Sequence, residues 1–320
     1  MVKLSVVVVN YNGCELVAEC LASLAAQTLP DIEVLLVDNA SVDDSVALVR
    51  REFPQFGVIR LERNYGFAGG SNRGIAASRG EFVALLNNDA VADPPWAERL
   101  VEAAADSSVG MAASRVLLYS DRSRLDSAGD GMTTVGAAFK RGHLAPADRF
   151  AASEKVFGAS GCAMLLRRAM LDDVGLFDED FFLIYEDADL AFRAQLRGWS
   201  CVYVPDAVVY HRLSASIGPL SATYVYYGQR NVEYVYFKDM PSRLLWTSLP
   251  AHLLNDALAA AYFACRGRLG SFVRAKLDVL RALRPLRAKR RAIQARARVG
   301  WSDIERQLER RWLRTRLAGK

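Results

Sequence analysis

Phe82-Val83-Ala84-Leu85-Leu86-Asn87-Asn88-Asp89 is an apolar run that stops at a polar triplet. Five consecutive apolar residues bounded by polar ones predict a strand buried on both faces, with Asn87, Asn88 and Asp89 just past its carboxyl end. The arrangement recurs upstream. Leu4 to Val9 ends in Asn10-Tyr11-Asn12, Ile32 to Val37 in Asp38-Asn39-Ala40-Ser41, and the short run Val58 to Leu61 is followed by Arg63-Asn64-Tyr65-Gly66. Helical patterns separate these runs. Glu15 to Gln27 carries Leu16, Cys20, Leu21 and Leu24 at helical spacing, and Ser41 is placed to cap a helix reaching Glu52. Gly70 to Ser78 reads as a third helix, and Asp93-Pro94 opens a fourth through Ala104. Such alternation predicts an α/β fold whose ligands bind beyond the strands' carboxyl ends, so the four polar clusters converge on one crevice.

Further along, the pattern fails from about Ser114 to Ala152, which reads as a hairpin or a mobile loop over the site. It resumes with Gly158 to Cys162 and a strand Ala163 to Leu166. A helix from Asp187 to Arg197 is stopped by Gly198, a strand runs from Ser200 to Val204, and an aromatic-rich helix covers 220–239. Beyond Pro241 everything reads as helix. Leu244 to Cys265 is the most apolar part, but Pro250, His252, Asn255 and Asp256 argue for an interfacial or packed helix rather than a membrane span. The expected division is a catalytic unit over 1–240 and a basic helical region over 241–320.

The net charge of +5 hides an asymmetry: after residue 240 there are 19 Lys or Arg against 5 Asp or Glu, leaving 22 against 31 before it. A basic tail on an acidic body predicts a surface that meets anions. Nucleic acid is not expected, because the tail lacks recognition motifs and base-stacking aromatics. An anionic membrane surface fits better, with Trp246, Tyr262, Phe263 and Phe272 interleaved with Arg and Lys; a solvated helical bundle is the plain alternative. The five cysteines form no CxxC pair and read as reduced, mostly buried thiols of a cytoplasmic protein. The N-terminal apolar stretch is too short for a signal peptide.

The chemistry lies in the strand ends. Tyr11 is suited to stack on a base, and Asp38 to accept a base N–H. Asn64 with Gly66, Gly69 and Gly70 allows close backbone approach to a phosphate or sugar. Each feature singly also reads as ordinary turn chemistry. No GxGxxG follows the first strand and no GxxxxGK[ST] occurs, which disfavours dehydrogenases and P-loop enzymes. A carboxylate at a strand end (Asp89) suits a divalent cation, and Glu186-Asp187 at a helix start suits a base. His211, one of three histidines, follows a strand and a Pro-Asp turn, and a lone histidine there reads first as structural.

Taken in order, Val9-Asn10-Tyr11-Asn12, Val37-Asp38-Asn39-Ala40-Ser41, Asn64-Tyr65-Gly66-Phe67-Ala68-Gly69-Gly70-Ser71-Asn72, Leu86-Asn87-Asn88-Asp89 and Tyr185-Glu186-Asp187 resemble the family 2 glycosyltransferases. Within them the rhamnosyltransferase-like branch of bacterial envelope assembly is most similar, over roughly residues 3–240. The resemblance implies a GT-A fold and inverting transfer. It implies Asp187 as the base, with Glu186 orienting it or the acceptor and Asp189 facing away. Asn10, Tyr11, Asn12, Asp38, Asn39, Asn64, Gly66, Asn72, Asn87 and Asn88 fall in its nucleotide-sugar motifs. Asp89 falls at the last position of its metal-binding D-x-D, whose first position is Asn87 here. The resemblance also implies a metal ligand at His211, which with Asp89 would suit Mn²⁺ or Mg²⁺. It implies that Gly158 to Cys162 helps shape the acceptor side; Trp199 reads equally as packing there or as a core residue. The implied donor is dTDP-rhamnose, then a UDP-sugar. The implied acceptor is a glycan or polyprenyl-linked saccharide at the cytoplasmic membrane face. A UDP-hexose transferase and a non-catalytic nucleotide-sugar- or membrane-binding protein are the alternatives. A sugar nucleotidyltransferase lacks its Gly-rich signature here, and a processive synthase its QxxRW and membrane spans.

Overall fold

The protein is described by a computed structural model covering residues 2–213, 218 and 220–318. Its first third alternates as the apolar runs predict: β1 (Leu4–Asn10), α1 (Cys14–Ala25), β2 (Glu33–Asp38), α2 (Ser45–Glu52), β3 (Gly57–Arg60), α3 (Gly66–Ala77) and β4 (Phe82–Leu86). β1 pairs in parallel with both β2 and β4, and β2 with β3, so all four polar clusters leave the sheet at one edge. Gly70 and Gly74 face Val9 and Val7 of β1 so closely that an added Cβ would fall 2.8 and 2.3 Å from them. The glycines let α3 lie tight on the sheet; Gly70 serves packing, not the close ligand approach read from the sequence.

β5 (Ala90–Ala92), α4 (Trp96–Ala103) and β6 (Val109–Leu118) follow, then the short strands β7 (Leu125–Ala128), β8 (Asp130–Met132), β9 (Ala138–Lys140) and β10 (Glu154–Val156). β11 (Ala163–Arg167), α5 (Arg168–Val174), α6 (Glu186–Arg197), β12 (Ser200–His211) and α7 (Ala222–Asp239) complete the unit. The main sheet runs β10-β12-β6-β11-β4-β1-β2-β3, with β5 beside β12 and β7 beside β6. β11 is antiparallel to its neighbours β4 and β6, which makes the sheet mixed.

Three expectations need correction. Ser41 does not cap a helix: Asp43 accepts the N–H groups of Ser45 and Cys14, α2 starts at Ser45, and Ser41 Oγ accepts the Asn12 N–H at 2.9 Å. α3 begins at Gly66, four residues early, because Asn64 Oδ1 accepts the Gly66 N–H. Residues 114–152 hold a hairpin (β8–β9) but also the end of the buried strand β6, and β7. Their strands are short and carry small residues, so no periodicity survives.

The C-terminal region is helical: α8 (Ser242–Cys265), α9 (Leu269–Arg281), α10 (Leu283–Arg296), α11 (Trp301–Gln307) and α12 (Trp312–Ala318). No helix among the described residues is long and apolar enough to cross a membrane. Phe263 and Phe272 are not on the surface, as the membrane reading expected, but pack against Val225 and Ala259. The region is fastened to the body by Lys289 on Asp178 and by Arg290, which donates to the Phe237 and Met240 carbonyls. No disulfide occurs among the described residues; Cys20, Cys162 and Cys201 are buried and Cys265 is exposed.

Candidate active site

A crevice of about 490 Å³ opens at the carboxyl edge of the parallel strands. It brings together Tyr11, Asn39, Asn64, Gly66, Asn87, Asn88, Asp89 and His211, roofed by Phe67, Phe182 and Tyr224. Tyr11 is half-exposed, its ring free to take a flat ligand. Asn10, Asp38 and Asn72 are buried behind the crevice, and Asn12 is exposed beside it.

Most of the asparagines hold the crevice's own backbone. Asn10 accepts from Asn88 Nδ2 at 2.7 Å and donates to Ser41. Asn39 donates to Asn64 Oδ1 and the Gly66 carbonyl and accepts the Tyr65 N–H. Asn72 is turned away, paired with both backbone groups of Phe177, so it braces the segment ahead of α6 rather than lining the crevice. Asp38 Oδ2 accepts the Ser41 N–H, while its Oδ1 is buried with no partner, an acceptor left for a ligand N–H.

Strand register creates the candidate metal centre. β5 and β12 pair antiparallel with His211 opposite Ala90, and Arg212 N–H donates to the Asp89 carbonyl. His211 Nε2 therefore lies 3.3 Å from Asp89 Oδ1, a buried oxygen without a hydrogen-bond partner. The other ring nitrogen contacts Asp126 Oδ2 at 2.9 Å. Asp126 is the extra residue of a bulge: β7 pairs Ser127 with Val116 and Leu125 with Leu117, leaving 126 unpaired, as bulges near functional sites often re-aim a side chain. Asp126 is fully buried, with Lys140 Nζ at 2.7 Å. Burial works against its charge, but His143, His211 and Lys140 hold the carboxylate well below its usual range. Burial likewise opposes the His211 imidazolium; Cys162 and the carboxylates of Asp126 and Asp89 outweigh it and raise its pKa. An orphaned oxygen, a buried imidazole and a carboxylate behind that imidazole fit a hard divalent cation, which would replace the proton on Nε2.

The acid pair stands next to this centre. β11 runs antiparallel to β4, and Asn87 N–H donates to the Cys162 carbonyl at 2.8 Å. One residue earlier, Gly161 N–H donates to Asp187 Oδ2 at 2.8 Å, and Asp187 Oδ1 accepts the Ala188 N–H. A Cβ on Gly161 would touch both Asp187 and Phe67 of the crevice. Burial raises the Asp187 pKa against those two N–H groups. Burial, then the Asp187 charge, raises Glu186 well above its usual value, and Glu186 Oε2 has no partner. Asp130, at the start of β8, is raised by burial and by Asp187 to about 7. Asp189 points into a separate buried cluster with Arg193 and Lys238.

The segment entering α6 is strained. Phe182, Ile184 and Tyr185 have φ of 64, 65 and 75°, a region L-residues seldom adopt. Asn231 of α7, fully buried, holds it by donating to the carbonyls of Phe181, Leu183 and Ile184 at 2.7–3.0 Å. Gly66, with φ of 72°, lets this segment approach: a Cβ there would sit 2.2 Å from the Phe182 carbonyl. Asp126, Asp130, Lys140 and Asn231 escaped sequence reading because bulge and loop contacts, not motifs, place them. Trp199 lies at the far end of β12, bonded to Asp173, and is not at the acceptor side.

Residues 5–175 match the family described as "Glycosyl transferase family 2". A Mycobacterium tuberculosis protein named N-acetylglucosaminyl-diphospho-decaprenol L-rhamnosyltransferase is 29% identical over 284 residues, 78% of this chain and 92% of its own. Two solved structures share the fold. GalNAc-T7 with UDP, GalNAc and Mn²⁺ has a TM-score of 0.59 at 19% identity, over 74% of this chain and 50% of that one. The mannosyltransferase PcManGT from Pyrobaculum calidifontis with GDP-Man and Mn²⁺ has a TM-score of 0.55 at 21% identity, over 92% of this chain and 84% of that one. Mixed sheet, crevice and motif order thus agree with a match over more than half the chain, and the protein belongs to glycosyl transferase family 2, with the GT-A fold and a resemblance to its rhamnosyltransferase-like branch.

Proposed function

We propose that the protein is an inverting, metal-dependent transferase that moves a sugar, rhamnose from dTDP-rhamnose in the first instance, onto a polyprenyl-linked saccharide in envelope polysaccharide synthesis. The observation that carries this reading is the placement of Asp187 beside Asn87-Asn88-Asp89 through Gly161 and Cys162. Only Gly161 separates that carboxylate from Phe67 of the crevice, which suits the base that direct displacement at an anomeric carbon requires.

In this reading Tyr11 stacks on the base, Asp38 accepts its N–H through the orphaned Oδ1, and Asn64 and Gly66 face the sugar or phosphates. Asp89 and His211 would hold Mn²⁺ or Mg²⁺, which would supply the positive charge to offset the leaving diphosphate. Asp187 takes the proton from the acceptor hydroxyl as its oxygen attacks. The Gly161 N–H fixes the carboxylate's direction, and burial raises its basicity. Residues 1–240 form the catalytic unit and 241–320 an appendage working at the cytoplasmic membrane face, where a lipid-linked acceptor resides. The acceptor named for the mycobacterial relative supports that choice.

The test is thermal melting with dTDP-rhamnose and UDP-sugars, with and without Mn²⁺, followed by transfer assays with the stabilising donor. A ligand that binds only the folded state raises the melting temperature by mass action. A metal-dependent rise with dTDP-rhamnose supports the donor; a rise with a UDP-sugar instead replaces it. No rise with any donor would overturn the reading.

A further inference from the structure

α8 is built inside out. Its polar residues turn inward: His252 and Asn255 are buried, and Asp256 joins Glu233 and Lys276 of the neighbouring helices in a cluster that His252 closes at 3.0 Å. Its outer face is apolar. Trp246, Pro250, Leu253, Leu254, Ala257 and Leu258 recur at three- and four-residue spacing, which puts them on one stripe. Trp246 is 68% exposed, Leu253 57% and Leu254 51%. From Leu244 to Cys265 the one charged residue is Asp256, mostly buried and paired with Lys276, the reverse of a helix meant for solvent. After the turn at Arg266–Arg268, α9 repeats the design: Leu269, Val273, Leu277 and Leu280 form an exposed stripe, with Arg274 and Arg281 each one position further round the helix, Arg281 paired with Asp278 at 2.6 Å. Arg284 follows, and among the described residues neither it nor Arg266 makes an ion pair.

We infer that the α8–α9 hairpin lies on an anionic lipid bilayer, its leucines and Trp246 among the acyl chains and its arginines at the headgroups. This rests on the lipid-linked acceptor reading for its purpose and on the exposed surface for its chemistry. An apolar stripe edged by arginines has the composition of an interfacial helix. Charge decides against a second copy of this chain as occupant, since two such faces would bring arginine against arginine, whereas an anionic surface attracts them. Of the residues the sequence suggested, Trp246 stays on the lipid-facing side, while Phe263 and Phe272 point inward and leucines take their place.

The test is co-sedimentation of the full chain with vesicles of phosphatidylcholine, alone or mixed with phosphatidylglycerol, without donor or metal. Wild type should bind the mixed vesicles far better, and Leu254→Glu/Leu258→Glu should weaken that binding about tenfold or more while melting and donor hydrolysis stay as in wild type. Brominated lipid should quench fluorescence in wild type more than in Trp246→Phe. Equal binding by the double variant overturns the inference. So does a soluble dimer that fails to bind vesicles and that the double variant dissociates, which would make this a self-association face. Loss of donor hydrolysis in wild type would strike the catalytic reading instead, because vesicle binding requires neither substrate.

Discussion

Asp187→Asn isolates the proposed proton transfer. Asparagine keeps the volume and an oxygen for the Gly161 N–H, now 2.8 Å from Asp187 Oδ2, so the Gly158–Cys162 segment keeps its anchor. What is lost is a carboxylate able to take a proton. A positioned base contributes about 10²–10⁴-fold, and at about 1.4 kcal/mol per decade this is about 3–5 kcal/mol of barrier. The loss falls on kcat. Donor affinity should hold, because the donor crevice is lined by other residues. Melting should change little, since easing the charge that adds to burial in raising Glu186 and Asp130 is set against the Ala188 N–H, which loses its acceptor when an amide NH₂ replaces Oδ1. The pH profile adds a second readout. The base must be unprotonated, and burial raises its pKa above the ordinary 3.8, so wild-type kcat falls with acid at a higher pH than a free carboxylate would give. The variant's residual rate should lack that limb. The assay is transfer and donor hydrolysis across pH, with donor binding by calorimetry. A kcat within tenfold of wild type, or a parallel loss of donor affinity, would refute the assignment.

Four further substitutions probe the surroundings. Asp126→Asn removes the charge behind His211 and should weaken Mn²⁺ binding about 10–100-fold in a direct titration, with an unchanged affinity refuting its supporting role. Asn231→Ala strips the donor from the Leu183 and Ile184 carbonyls of the strained entry to α6, while the Phe181 carbonyl keeps Arg230; denaturant unfolding should show a loss of about 2 kcal/mol, and kcat should drop while donor affinity persists. Lys238→Met removes one of two cations from each of Asp178 and the fully buried Asp189, leaving Lys289 and Arg193 in place, and should cost about 1.5–3 kcal/mol; no measurable cost would mean the cluster is relaxed or wet. Tyr11→Ala should raise the donor Kd about 5–100-fold by the loss of base stacking, with kcat nearly kept.

What the amino-acid sequence determined by itself was whatever depends on local period and chain order. Short, mostly apolar runs bounded by polar residues, such as Leu4 to Val9 and Phe82 to Leu86, are too short for buried helices and read as strands buried on both faces. Once their connections are helical they lie parallel, and their polar ends share an edge. That fixed the α/β core and the crevice's general place. Tertiary structure decided the rest through contacts that leave no local trace. Asp126 reaches His211 because a bulge adds one residue to β7, and His211 meets Asp89 because β12 pairs with the distant β5, His211 opposite Ala90. Asn72 carries a family motif, yet its amide is spent on Phe177. The same division governs the tail: composition shows that it is basic and apolar, but only packing tells which side of α8 meets its neighbours. The polar residues proved to be inside because Lys276 and Glu233 were there to pair with them, and the leucines were left facing out.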